Sequence, residues 1–295
     1  MLAHTKIGLS LIALMLLLGA LAACAPLTVI NALTPSGSYT RQTVQYGATA
    51  RNKLDVYTPR NANQAAPVVV FFYGGSWNSG DRADYEFVGE ALASRGFVAV
   101  LADYRLYPEV RYPDFLEDSA QAVAWAANEV QRYGGDPTRL FVMGHSSGAY
   151  NAAMVALDAR LLAQYGMTPA ALRGWIGLAG PYDFTPIENT AVRPVFFFPD
   201  TPPASQPINQ VTGAAPPALL IASNKDDLVN PVRNTGGLAN KLRAAGVSVR
   251  EVYFDNTTHA SLVASLSRPL RGLAQTLDRV EEFVLTDGGR EAVKK

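Results

Sequence analysis

The chain repeats one pattern of polarity. A short, almost unbroken apolar run is followed by a longer stretch in which apolar residues recur at helical spacing. The runs are APVVVFFYGG (66–75), FVAVLADYR (97–105), RLFVMG (139–144), GWIGLAG (174–180) and PALLIAS (217–223). A strand with one wet face alternates apolar and polar side chains, because successive side chains point to opposite faces. Runs that do not alternate therefore predict strands covered on both faces, as in a parallel sheet. Between them, helices are predicted over 84–94, from Glu117 through Ala120, Val123, Ala127 and Val130, over 147–161, at the end of 233–246 and over about 271–285. TVQYG and KLDVYTP open the series as a pair of strands, GGDP (134–137) marks a turn, and VSVREVYF is the last strand. Such alternation predicts an α/β fold: a doubly wound, mostly parallel sheet with helices on both faces. No internal repeat is visible. With 48% hydrophobic and 17% charged residues, the 295-residue chain can bury such a core in one large domain, expected over 39–290.

The charge balance excludes one class of partner. Basic and acidic residues number 25 each and no basic run exceeds a pair, so the clustered positive face that nucleic-acid binding requires is missing. The N-terminus is a different matter. Lys6 precedes IGLSLIALMLLLGALAA, which has the charged start, apolar middle and small-residue end of a secretory signal over 1–23. Cys24 is the only cysteine, and a lone thiol in an exported protein has no disulfide partner. Leu21-Ala22-Ala23-Cys24 resembles the bacterial lipobox. That resemblance implies lipidation of Cys24, a tether over 24–38, and a membrane-anchored lipoprotein facing the periplasm or cell exterior. An ordinary signal peptide or an uncleaved anchor are the alternatives, although a spanning helix wants about 20 apolar residues.

One segment breaks the rhythm. Nine of the 19 prolines lie between Pro181 and Pro217, with FFFPDTPP in the middle. Proline removes backbone donors and blocks helix interiors, so this stretch is expected to be irregular: either an ordinary loop or a lid-like wall over a substrate site.

The chemistry centres on Gly144-His145-Ser146-Ser147-Gly148, a G-x-S-x-G pattern between a predicted strand and a predicted helix. A turn this tight forces the central serine into strained torsions and lifts its hydroxyl above the sheet, and its glycine neighbours let strand and helix approach. Registering the pattern on Ser147 would need glycines where His145 and Ala149 stand, so Ser146 is the candidate nucleophile. The Ser147 amide is then one oxyanion donor. A serine hydroxyl needs a base. Of three histidines, His4 lies in the signal and the side chain of His145 diverges from its neighbour on the turn, which leaves His259. The orienting acid belongs between nucleophile and histidine in sequence. NKDDLVNP offers Asp226 and Asp227, and Asp226 is favoured by its Asp-x-x-Val spacing. Gly74 and Gly75, at the end of a buried strand, supply further amides that can face a substrate.

With these residues in place the chain resembles the α/β-hydrolase superfamily, close to the hormone-sensitive-lipase-like and feruloyl-esterase-like carboxylesterases. The stretches that carry the resemblance are LDVYTP, YGGSWNSGD, RGFVAVLADYRLYPEVRYPDFLEDSAQAVAWA, GGDPTRLFVMGHSSGAY, DDLVNP and His259, spanning about 55–260. Two departures stand out. Tyr73-Gly74-Gly75-Ser76 replaces the family's His-Gly-Gly-Gly, and SSGAY replaces SAGG. Tyr73 either braces the loop in place of the histidine or lines the acyl site. The resemblance implies a serine carboxylesterase acting through an acyl-enzyme on a small-molecule ester, with no metal or organic cofactor. Rival readings are an amide or formamide hydrolase, or a peptidase, on the same residues, and a non-catalytic hydrolase-fold binding lipoprotein. A histidine base predicts activity rising through roughly pH 6 to 8.

Overall fold

The computed structural model describes residues 26–61 and 65–288. Its centre is an eight-stranded sheet in the order β1-β2-β4-β3-β5-β6-β7-β8. The strands are β1 (Tyr39–Gln45), β2 (Lys53–Pro59), β3 (Ala66–Phe72), β4 (Val98–Ala102), β5 (Gly135–His145), β6 (Leu172–Leu178), β7 (Ala218–Ser223) and β8 (Val249–Phe254). β1 and β2 pair antiparallel, as do β2 and β4, and all other neighbours are parallel. Every residue of β3, β4 and β7 is buried. This is the physical content of their unbroken apolar sequences: both faces of the central sheet are covered. The edge strand β1 carries TRQTVQ and is mostly exposed, as a strand with one free edge can be.

The helices are α1 (Pro26–Ala32), α2 (Glu86–Ser94), α3 (Asp114–Glu129), α4 (Ser147–Leu157), α5 (Ala159–Ala163), α6 (Gly237–Ala244), α7 (His259–Ala264) and α8 (Thr276–Leu285). The predicted helix over 147–161 is split at Asp158, whose carboxylate accepts the Arg160 amide and starts α5 afresh. The GGDP turn is confined to its first residue. Gly134 takes φ +79°, and Gly135 already pairs with Ala66 at the start of β5. α2 and α8 are joined by Arg95, which bridges to Asp278 and Glu281.

The signal segment over 1–23 and Cys24 lie outside the described residues. Part of the expected tether does not. Pro26–Ala32 is a helix whose Leu27 and Ile30, three positions apart, pack on the core. Asn31 donates to the Ala83 carbonyl (2.9 Å) and accepts from the Phe87 amide (3.2 Å). This stretch is docked on the domain, because its apolar spacing gives it a face to bury. Among the described residues no helix is long and apolar enough to cross a membrane.

The segment from Ala179 to Pro217 links β6 to β7 through single turns at Arg193–Phe196, Pro203–Ser205 and Pro207–Gln210. Each turn has proline in its first two positions, where the missing N–H matters least. In FFFP, Phe196 is buried, while Phe197 (41% exposed) and Phe198 (40%) face outward.

Candidate active site

The loops at the carboxyl ends of β3, β5, β7 and β8 meet above the sheet, the edge at which open parallel sheets place their sites. Ser146 occupies the turn from β5 to α4 with φ 54° and ψ −124°, a strained conformation for a residue with a side chain. Its amide donates to the Leu178 carbonyl (2.9 Å), tying the turn to β6. The flanking glycines explain how the turn closes. A Cβ at Gly144 would lie 2.1 Å from the Gly148 carbonyl oxygen, and one at Gly148 would lie 2.0 Å from that of Phe72.

Ser146 Oγ is 2.8 Å from His259 Nε2, and His259 Nδ1 is 2.7 Å from Asp226 Oδ2. The other carboxylate oxygen of Asp226 accepts the Leu228 and Val229 amides, both at 2.9 Å. Burial pushes this carboxyl up, but the hydrogen bond from His259, the His259 charge and the two amides outweigh it, so Asp226 is held below the ordinary carboxylate range. An ionised Asp226 accepts the Nδ1 proton and leaves the Nε2 lone pair facing the Ser146 hydroxyl. Asp227 instead is exposed and lines the cleft.

His259 is the first residue of α7. Thr258 before it caps the helix reciprocally with Ser261, and Ser223 at the end of β7 donates to the Thr257 carbonyl. These supports were not singled out in the sequence, although Thr258-x-x-Ser261 is a short form of the capping-box spacing. Neither ring nitrogen of His145 is hydrogen-bonded to the Ser146 hydroxyl, and Nε2 is turned to the His259 carbonyl. The His145 ring is buried, and burial and the neighbouring His259 push its pKa down to about 3.

Among the described residues no side chain caps the start of α4, so the Ser147 amide, which has no helical partner, is open to a ligand. Gly74 lies against the nucleophile: a Cβ there would sit 3.0 Å from both Ser146 Cβ and His145 Nδ1. Gly75 has φ +137°, and its carbonyl accepts the Asn78 and Ser79 amides at 3.1 Å. In a trans peptide the next N–H then points the opposite way, which directs the Ser76 amide out of this turn. Ser76 and Trp77 line the cleft beside Ser146. In the sequence only the glycines before them carry a recognisable signal, and neither Ser76 nor Trp77 does. Trp77 is fixed by its indole N–H donating to Asn151 Oδ1 (3.0 Å). The available signal was Asn151 itself, an amide directly before the apolar run AAMVAL of helix α4.

Tyr73 does not line the cleft. Its ring is buried and stacks on Tyr104 (centroids 4.8 Å apart) and Tyr85 (5.8 Å). Its hydroxyl accepts from Arg51 at 2.7 Å, and Arg51 also donates to the Tyr104 carbonyl at 2.9 Å and the Gly80 carbonyl at 2.5 Å. Of the two roles open to Tyr73, the structure places it in the loop brace.

The cleft has a volume of about 590 Å³, within the size range of small-molecule sites. Phe184, Ile187 and Val192, all from the proline-rich segment, form its apolar wall together with Trp77. None of residues 196–199 is among its lining residues. Phe196 instead backs the wall, packing on Trp77 at 4.8 Å and Phe184 at 5.2 Å. Among the described residues no cluster of three or more His, Cys, Asp or Glu side chains is placed to hold a metal ion.

Known proteins resemble this chain in sequence and in fold. The chain is 26% identical over 281 residues to a probable isoprenylcysteine alpha-carbonyl methylesterase of Arabidopsis thaliana, covering 87% of this chain and 58% of that protein. It is 31% identical over 227 residues to esterase LipC of Mycobacterium tuberculosis, covering 70% of this chain and 56% of the relative. The chain thus spans less than two thirds of the length of these relatives. Among solved structures, a truncated carbohydrate esterase from gut microbiota superposes with a TM-score of 0.72 at 19% identity, covering 87% of this chain and 99% of that one. A thermostable esterase from Pseudomonas putida superposes with a TM-score of 0.68 at 25% identity, covering 92% and 89%. The shared architecture is the α/β-hydrolase fold. The family model BD-FAE matches residues 54–242, and the chain belongs to that family.

Proposed function

We propose that the protein is a serine carboxylesterase that cleaves small-molecule esters through an acyl-enzyme. The observation that carries this reading is the continuous chain from Ser146 Oγ to His259 (2.8 Å) and on to Asp226 (2.7 Å) at the floor of the cleft. Ser146 Oγ attacks the ester carbonyl while His259 Nε2 takes its proton. Asp226 holds the ring in the required tautomer and stabilises the imidazolium. The amides of Ser147 and of the Gly74–Ser76 turn receive the developing oxyanion. His259 then returns the proton to the leaving alcohol, and water activated by the same nitrogen releases the acid. The relatives are described as esterases, and none of those named above as an amidase, peptidase or binding protein. A fluorophosphonate probe tests the reading. It should label the wild type and not Ser146→Ala, and p-nitrophenyl acetate turnover should fall at least about 10³-fold in that variant. Folded wild type that neither labels nor turns over the ester would refute it, and a preference for the matched anilide would shift the reading to amide hydrolysis.

The lipobox-like Leu21–Cys24 supports a second proposal: the enzyme is exported and held on a membrane by lipid at Cys24. Cys24→Ser should then move activity from the membrane to the soluble fraction of cells. Retention of the variant in the membrane would point to an uncleaved helix.

A further inference from the structure

His145 directly precedes the nucleophile, yet it takes no part in the chemistry above. It closes β5 and is 5% exposed. Its Nε2 lies 3.0 Å from the backbone carbonyl oxygen of His259, and the two rings sit 5.0 Å apart. A carbonyl can only accept, so Nε2 carries the proton and Nδ1 is left as a bare acceptor. Among the described residues that Nδ1, buried beside Gly74, has no hydrogen-bond partner. A buried acceptor without a partner is unfavourable, and an apolar ring of the same size would avoid the penalty. What the imidazole provides in exchange is its other nitrogen.

We propose that His145 is a positioning residue: its Nε2–H fixes the backbone from which the His259 ring hangs. The Thr258–Ser261 cap and the Ser223 bond act on the residues before His259. His145 acts on the peptide of His259 itself. Residues 145 and 146 thereby hold the base at two points, His145 at its carbonyl and Ser146 at its Nε2. Nucleophile and base are referred to one rigid strand end, whose Ser146 amide is in turn bonded to Leu178. The groups facing His145 are His259, its carbonyl and the Asp226 carboxylate. Burial keeps His145 neutral at ordinary pH, so it places no positive charge beside the imidazolium that forms on His259.

The kinetic test rests on the esterase reading, and the spectroscopic one does not. In His145→Phe the ring volume stays and the donor is lost. In His145→Gln an amide N–H is returned near the position of Nε2. Expected for His145→Phe is a kcat reduced about 10- to 100-fold with KM changed less than about 2-fold, a melting temperature no lower than wild type, and recovery of most of the rate in His145→Gln. If His145→Phe does not fold, His145→Asn takes its place, since its amide reaches only the Nδ1 position. Independently of turnover, the downfield proton resonance of His259 Nδ1–H against Asp226 should be sharp in wild type and His145→Gln and broadened in His145→Phe. An unchanged kcat and an unchanged resonance in His145→Phe would overturn the proposal. So would equal losses in the Phe and Gln variants, which would assign the effect to ring packing. A wild type that shows the resonance but never labels with the phosphonate probe would refute the esterase reading and leave the positioning role to the spectrum.

Discussion

Asp226 and Asp227 are adjacent on the loop after β7, and backbone direction is what separates them. Asp226 turns inward, where the Leu228 and Val229 amides occupy one oxygen and His259 the other. Asp227 is exposed and lines the cleft, and it forms no salt bridge among the described residues. Asp226→Asn should therefore keep the loop but reverse the polarity seen by Nδ1, lowering kcat by about 10³- to 10⁴-fold. Asp227→Asn should change it less than about 5-fold on a neutral ester such as p-nitrophenyl acetate. Equal losses in the two variants, measured side by side, would contradict the assignment. At this scale much was legible beforehand. Ser146 followed from glycine spacing, and His259 from a count of three histidines. The choice of Asp226 rested on the Asp-x-x-Val spacing, and the structure supplies its meaning: the residues two and three positions later are the amide donors. Tyr73 stayed ambiguous because a tyrosine at a strand end can turn either way. Its partner Arg51 is 22 positions earlier in the chain, beyond the reach of any local pattern.

The strand–turn–helix element from β5 to α4 works by clearance. Adding a Cβ at Gly144 would bring it to 2.1 Å from a backbone oxygen of α4 itself, and no rotamer can relieve a clash with main chain. Gly144→Ala should cost more than about 2 kcal/mol in a urea titration and abolish probe labelling. Gly272→Ala, where nothing among the described residues lies within 4 Å, is the control and should be neutral within about 0.5 kcal/mol. Element identity was readable from periodicity, and element ends were less so. α8 begins at Thr276 rather than near 271, and the long helix after the nucleophile breaks at Asp158, because a carboxylate that can accept the Arg160 amide offers a new helix start. α1 was missed as an element, since prolines and a glycine around it read as tether while Leu27 and Ile30 supplied an apolar face.

For the whole molecule, the buried neutral His145 links stability to pH. Its pKa is about 3 in the folded chain, against about 6.5 unfolded. Between these values the unfolded chain binds a proton that the native one does not, so stability falls as pH drops below about 6.5. The slope from this group approaches about 1.4 kcal/mol per pH unit, and above pH 6.5 it contributes nothing. Asp226, with a depressed pKa, adds its own loss only below about pH 4. Urea midpoints at pH 7, 6 and 5 should therefore fall more steeply for wild type than for His145→Phe, and parallel lines would show that His145 titrates normally.

The sequence by itself determined the class of fold and the chemical parts. Unbroken apolar runs this short, rich in Val and Phe and bounded by glycines, point to strands covered on both faces, and G-x-S-x-G between strand and helix points to a nucleophile. Both are short-range constraints, written in consecutive residues. The tertiary structure alone decided which side chains meet. Ser146, Asp226 and His259 come from three strand ends brought together by the sheet order β5-β6-β7-β8. The same packing aims Trp77 at the cleft, turns Tyr73 away from it, seats half of an expected tether as a helix, and puts His145 against the backbone of a residue 114 positions later. Such contacts depend on how elements stack, which no local pattern of polarity encodes.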